Sequence, residues 1–193
     1  MANRNTVGFG LISQGTLGST PATQGQGKYY IEANDSVSKY NGTAVKQSAG
    51  FIITAQANIT DTVIGVLNGV FYNAATTEKP TWQNYYSQVT PANSENITAF
   101  VIDNPYQLYV TSFDTAIPIA NMGKTFGMST TTGSTQSGQS SNMMLLAGGS
   151  ATANTWRTVR IAEDPENQDI AFANCSVIVV QNLNQYNNGV TMA

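Results

Sequence analysis

Val63-Ile-Gly-Val-Leu-Asn-Gly-Val-Phe-Tyr72, Trp156-Arg-Thr-Val-Arg-Ile161 and Val177-Ile-Val-Val180 are the runs on which the fold turns. All three are rich in β-branched or aromatic residues and lack the i, i+3, i+4 repetition of a helix. In the second run Trp156, Thr158 and Arg160 fall on one pleat face and Arg157, Val159 and Ile161 on the other, so one side is expected to meet water. The third is apolar on both faces and reads as a central strand, buried between a core and a neighbouring element or subunit. Gly65 and Gly69 suggest bulges or a bend in the first, curving a long hairpin into a barrel wall.

Outward from these runs the same signal recurs. Lys28 to Ala33, Gly50 to Thr54, Ile97 to Ile102 and Tyr106 to Phe113 are short β-rich stretches bounded by Gly, Asn, Asp or Pro, and the two later runs extend to Ala162 and from Cys175 to Leu183. Asp103-Asn-Pro-Tyr106 reads as a tight turn, because Pro105 fixes φ and Asn104 tolerates turn geometry, and a hairpin is expected there. The fold class is therefore all-β: a compact antiparallel β-barrel or sandwich with an extended N-terminal arm. Residues 1–27 hold Gly8, Gly10, Gly15, Gly18, Gly25, Gly27 and Pro21 with no sustained period, which reads as the arm, leaving residues 28–193 as the β domain. Residues 129–142, Ser-Thr-Thr-Thr-Gly-Ser-Thr-Gln-Ser-Gly-Gln-Ser-Ser-Asn, form an uncharged low-complexity stretch expected to be a long surface loop, with a glycan-binding surface as the alternative.

The composition excludes much chemistry. The 193 residues are 41% hydrophobic but only 10% charged, against roughly 25% charged in an ordinary soluble domain. Thr, Asn, Ser and Gln supply the polar surface. There is no His and a single Cys, Cys175. A Ser-His-Asp or Cys-His pair, a His-ligated metal and an intrachain disulfide are thereby excluded. The net charge is -3, and the eight Lys and Arg are dispersed, so nucleic acid is not an expected partner. The first residues carry no apolar core of signal-peptide length, and no run approaches the ~20 apolar residues of a spanning helix. A membrane is not expected either.

Candidate motifs fail on inspection. Gly123-Lys124-Thr125 lacks the P-loop glycine five residues upstream, where Pro118 stands, and no helix is expected after it. Gly8-Phe-Gly10 and Gly25-Gln-Gly27 lack the third glycine and the βαβ context of a dinucleotide site. Glu163, Asp164, Glu166 and Asp169 crowd into seven positions, but without the ligand alternation or turn glycine of an EF-hand they read as a solvated turn, and no metal or other cofactor is expected. As a glycosidase acid and base the same four would need a cleft. Thr81, Trp82, Tyr85 and Tyr86 follow Pro80 and form either an aromatic lid over a barrel end or an exposed contact patch. Asn41, Asn58 and Asn96 open glycosylation sequons that arise readily in an Asn- and Thr-rich chain.

Several segments taken in order carry a family likeness. They are Met1-Ala-Asn-Arg-Asn-Thr-Val-Gly-Phe-Gly-Leu11, Gly18-Ser-Thr-Pro-Ala22, Asp61 to Tyr72, Lys79-Pro-Thr-Trp82, Phe100-Val-Ile-Asp-Asn-Pro105 and Asp164-Pro-Glu-Asn167. Together they resemble the capsid decoration, or cement, proteins of tailed bacteriophages, over most of the chain. The resemblance implies a β-rich structural protein, not an enzyme, made in the host cytoplasm and placed on the outer surface of the virion capsid. It further implies a homotrimer whose partner is the major capsid protein, clamping neighbouring capsid subunits after expansion. On that reading the arm lies along the capsid, with Arg4, Phe9, Leu11, Ile12 and Leu17 as capsid-contact residues. Trp82, Tyr85 and Tyr86 would serve as an exposed aromatic contact under the alternative reading, a tail or fibre component touching host glycans. A carboxylate-based glycan hydrolase built on the acidic loop is the remaining alternative.

Overall fold

β-branched and aromatic residues at alternating positions, broken by Gly, Asn and Pro, leave the chain little choice but short strands. The computed structural model describes residues 2–18, 25–55, 61–129, 133–150 and 154–186. Its strands are β1 (Ile12–Thr16), β2 (Gly27–Ile31), β3 (Ala44–Ser48), β4 (Phe51–Thr54), β5 (Gly65–Asn73), β6 (Pro80–Gln83), β7 (Ile97–Ile102), β8 (Gln107–Ser112), β9 (Thr125–Met128), β10 (Met144–Ser150), β11 (Trp156–Ile161) and β12 (Ser176–Gln181). They build two antiparallel sheets, each of six strands. The first runs β1-β8-β12-β11-β9-β10, and the second runs β2-β7-β5-β3-β4 with β6 on β5. The all-β class holds, as two sheets and not as a closed barrel.

Each sheet has its own core, and β3, β5 and β7 serve both. Ala44, Val66 and Ile102 of the second sheet pack with Tyr109, Phe126, Trp156, Val177 and Val179 of the first. Leu67, Val70, Ala99 and Val101 turn the other way, into a core with Ile31, Val45 and Ile52. In the first core the rings meet edge to face, Tyr109 with Trp156 at 5.6 Å and Phe113 with Phe126 at 5.1 Å, the geometry that aromatic quadrupoles favour.

Two bulges keep apolar residues on the right side. The β5–β7 register shifts between Leu67 and Gly69, so Leu67 and Val70 both face the second core although simple alternation would separate them. The bulge expected at Gly69 is thus present. Gly65 is needed for a different reason: a Cβ there would lie 2.1 Å from the Ile102 carbonyl oxygen. A second shift, between Thr158 and Arg160 on β11, corrects the expected face assignment. Trp156 and Thr158 do share a buried face, but the bulge replaces Arg160 by Ile161 on the core side, and Arg160 is exposed. Val177 and Val179 fill the core from β12, which lies between β8 and β11 as a central strand should.

Two further expectations are corrected. Asp103 to Tyr106 does turn, with Gln107 N–H donating to Asn104 O and Tyr106 N–H to Asn104 Oδ1, both at 3.0 Å. It makes no hairpin, however, because β7 and β8 enter different sheets. The extended N-terminal arm is also not shown. Asn3 Nδ2 donates to the carbonyls of Asp169 and Ala173, each at 2.9 Å, and Asn5 N–H donates to Asn167 Oδ1 at 2.7 Å. Leu11 is buried in the first core and β1 pairs with β8. Some glycines of residues 1–27 are close approaches: a Cβ on Gly8 would meet Ser141 O at 2.3 Å, whereas Gly15 and Gly18 face open space.

Gly65 and Gly15 make a paired test. Gly65→Ala should cost about 2 kcal/mol, in the range of overpacking against fixed backbone, whereas Gly15→Ala, with nothing within 4 Å of its Cβ position, should be within ~0.5 kcal/mol of wild type. Urea unfolding of the two variants checks both.

Candidate functional site

The outer face of the first sheet is aliphatic where strand edges usually turn polar. Ile12 pairs with Val110, Val110 with Ile178, and Ile178 with Arg160, giving one row on the side away from the core. Leu108, Val180 and Arg157 form the next row. Ile178 and Val180 are covered by their neighbours, while Ile12 is 49% exposed. Beside the row runs a groove of about 490 Å³, lined by Phe9, Ile12 and Val110 on its apolar side and by Asn5, Asp164 and Asn167 on the other.

The five residues expected on the arm are divided by this geometry. Phe9 and Ile12 line the groove, and Leu17 is exposed just past β1. Leu11 is core. Arg4 donates through Nη1 to both Glu166 oxygens at 2.7 Å, an exposed pair that contributes little to stability. Val7, between Thr6 and Gly8, is also exposed, at 65%.

The acidic loop does not converge. Glu166 faces Arg4, Asp164 accepts from Glu166 N–H and Asn167 Nδ2, Asp169 Oδ1 accepts from Ala171 N–H, and Glu163 lies 3.7 Å from Arg160. Among the described residues no group of three or more acidic or Cys side chains is placed to hold a metal ion. Cys175 is buried, and desolvation, with Asp169 nearby, pushes its thiol up to about 11.

The aromatic set after Pro80 is split as well. Tyr86 is fully buried, donates its hydroxyl to Asp35 O at 2.6 Å, and lies under the Lys39 ammonium. Lys39 is itself buried, donating to Asp35 Oδ2 at 2.5 Å and to Val37 O. Desolvation holds its ammonium below the usual range, with the Asp35 interaction opposing that shift. Tyr85 stacks on Tyr40, 5.5 Å between centroids, and donates to Thr135 O. Trp82 is out on the surface.

Residues 133–142 of the polar loop are pinned to this spot. Gly138 packs on Tyr85, Gly133 on Tyr40, and Gln139 Nε2 donates to Phe9 O at 2.8 Å. The loop therefore buttresses the groove's Phe9 wall. Residues 130–132 of the loop, Asn58 of the second sequon, and residues 19–22 of the family-like segment lie outside the described residues. Asn41 donates to Asn68 O at 2.9 Å and Asn96 is exposed.

No family model, curated protein or solved structure matches this chain. The functional reading consequently rests on the chain's own surfaces and on the family likeness in its sequence.

The buried Tyr86 gives a pH signature. Burial, reinforced by the Asp35 carboxylate, pushes its phenol up to about 12, so above about pH 10 the unfolded chain loses this proton and the folded chain keeps it. Stability should fall as pH rises from about 10 toward about 12, and Tyr86→Phe should flatten that fall while lowering stability below pH 10. Urea midpoints measured across that range for both proteins check the sign.

Proposed function

We propose that the chain is a structural protein of a tailed-phage virion, a decoration or cement protein that binds the outer face of the head. Its partner on this reading is the major capsid protein, and as a homotrimer it stabilises contacts between neighbouring capsid subunits. The observation that carries the reading is the aliphatic row Ile12–Val110 with the groove beside it, a surface suited to covering by another protein. The likeness to cement proteins supplies the identity of that partner.

The mechanism differs from a reaching arm. The N-terminal segment forms the wall of the groove, so an apolar capsid side chain seats against Phe9, Ile12 and Val110. β1 is the edge strand of its sheet, and an extended capsid segment can add to it through main-chain hydrogen bonds. Three such contacts in one trimer raise the effective affinity by ~10²–10⁴ over a single one. Reactive side chains have no part in this scheme.

Binding to empty heads assembled from the same virus's major capsid protein tests it. The protein should co-sediment with expanded heads in hundreds of copies per particle. Ile12→Asp and Val110→Asp should each weaken binding by about tenfold or more, as expected for desolvating a carboxylate in an apolar contact. A few copies per particle would instead mark a tail or fibre component, and unchanged binding of both variants would remove the groove from the contact.

A further inference from the structure

Three exposed aromatic side chains stand in line across the second sheet, on the face opposite its core. Tyr30 of β2 pairs with Thr98 of β7, Thr98 with Phe71 of β5, and Phe71 with Trp82 of β6. Tyr30, Phe71 and Trp82 are 53%, 39% and 52% exposed. With strands about 4.8 Å apart, the line runs for roughly 14 Å. The neighbouring row is Lys28, Phe100 and Gly69.

Trp82 is fixed in place by that second row. A Cβ on Gly69 would meet the Trp82 six-membered ring at 2.4 Å, so the ring occupies the space the glycine leaves, and it lies 5.1 Å from Phe100. An aromatic ring over a strand glycine restores packing lost there. That accounts for Trp82 but gives no reason for Tyr30 and Phe71 to be aromatic.

We propose that this row is a binding face for a neutral hexopyranose chain. One side of a sugar ring presents polarised C–H bonds, which rest on the negative face of an aromatic ring, while the hydroxyls at its rim need hydrogen-bonding groups. Polar groups lie beside the rings accordingly, with the Thr98 hydroxyl between Tyr30 and Phe71, the Tyr30 phenol at the end of the row and the Lys28 ammonium in the neighbouring row. Charge selects among ligands: Lys28 is the one charged side chain in the two rows, so a polyanion finds no array of cations. A protein partner is matched less well, because interface anchors are packed round by further apolar side chains, and here Thr98 separates Tyr30 from the Phe71–Trp82 pair, with Phe100 beside Trp82 and Lys28 beyond it. The aliphatic face of the first sheet has the opposite character. The two faces are distinct, and this proposal does not depend on the capsid reading.

The test uses the purified full chain. The protein has two tryptophans, and Trp156 is 1% exposed, so acrylamide quenching of tryptophan fluorescence reads Trp82. Titration with maltohexaose, cellohexaose and N,N′-acetylated chitohexaose should give, with at least one of them, a saturable blue shift and protection from quenching. Tyr30→Ala and Phe71→Ala, at half-exposed positions, should each weaken that binding about tenfold with thermal unfolding little changed. Absence of saturable protection with all three sugars, or equal affinity in both variants, would overturn the proposal. So would protection of Trp82 that appears without sugar as protein concentration rises alongside self-association in sedimentation, which would make the face an interface between copies.

Discussion

β5 has to face two cores at once, and the rest of the architecture follows from how it does so. Val66 points into the core of the first sheet and Leu67 into that of the second. The bulge between Leu67 and Gly69 then returns Val70 to the second core. Without that extra residue, period-two alternation would expose Val70 and bury Phe71. The bulge thus fixes the join between sheets and decides which aromatic side chains reach water. Gly65 allows β7 to approach at the same join, through the Ile102 carbonyl.

Neutral amides do the connecting that charges do in most domains. Asn154 Nδ2 donates to Thr125 O and Asn182 Nδ2 to Asn154 O, tying three segments in sequence. Asn41 bridges to Asn68, and Asn3 reaches the loop at Asp169 to Ala173. An amide satisfies a loop carbonyl without the desolvation cost of an ion. The low charge of the sequence is in this sense a structural choice, seen also in how few ion pairs the described residues hold: Lys39–Asp35 and Lys46–Asp61 are the ones sheltered from solvent.

Strands with strong β character were legible in the sequence, and the weak ones were not. Val177 to Val180 announced a central strand because both faces are apolar. Ile12-Ser-Gln-Gly-Thr16 and Thr125-Phe-Gly-Met128 did not, since short runs containing glycine owe their strand state to the neighbour they pair with. Turn chemistry located the bend at Asn104 and Pro105 but carries no information on which sheet receives the next strand. The contact surfaces were less legible still. Phe9, Leu11, Ile12 and Leu17 read alike as contacts in the sequence, but Leu11, one residue from Ile12, faces the core, a distinction set by the pleat of a strand the sequence does not reveal. Trp82 was visible, while Tyr30 and Phe71 join it only through the order β2-β7-β5-β6.

The two sheets also differ in when their parts exist. Every described strand of the second lies between Gly27 and Ile102, so its set is complete once Ile102 has been made. The first sheet takes β1 from one end and β12 from the other, and β12 is the strand that joins β8 to β11. Until Ser176–Gln181 is synthesised, β1 and β8 have no route to the strands beyond, and the apolar residues meant for the first core wait on the outer side of a finished sheet. Contacts of such long sequence separation close slowly, which gives this chain an order of assembly written into its strand order: one sheet early and local, the other sealed by β12.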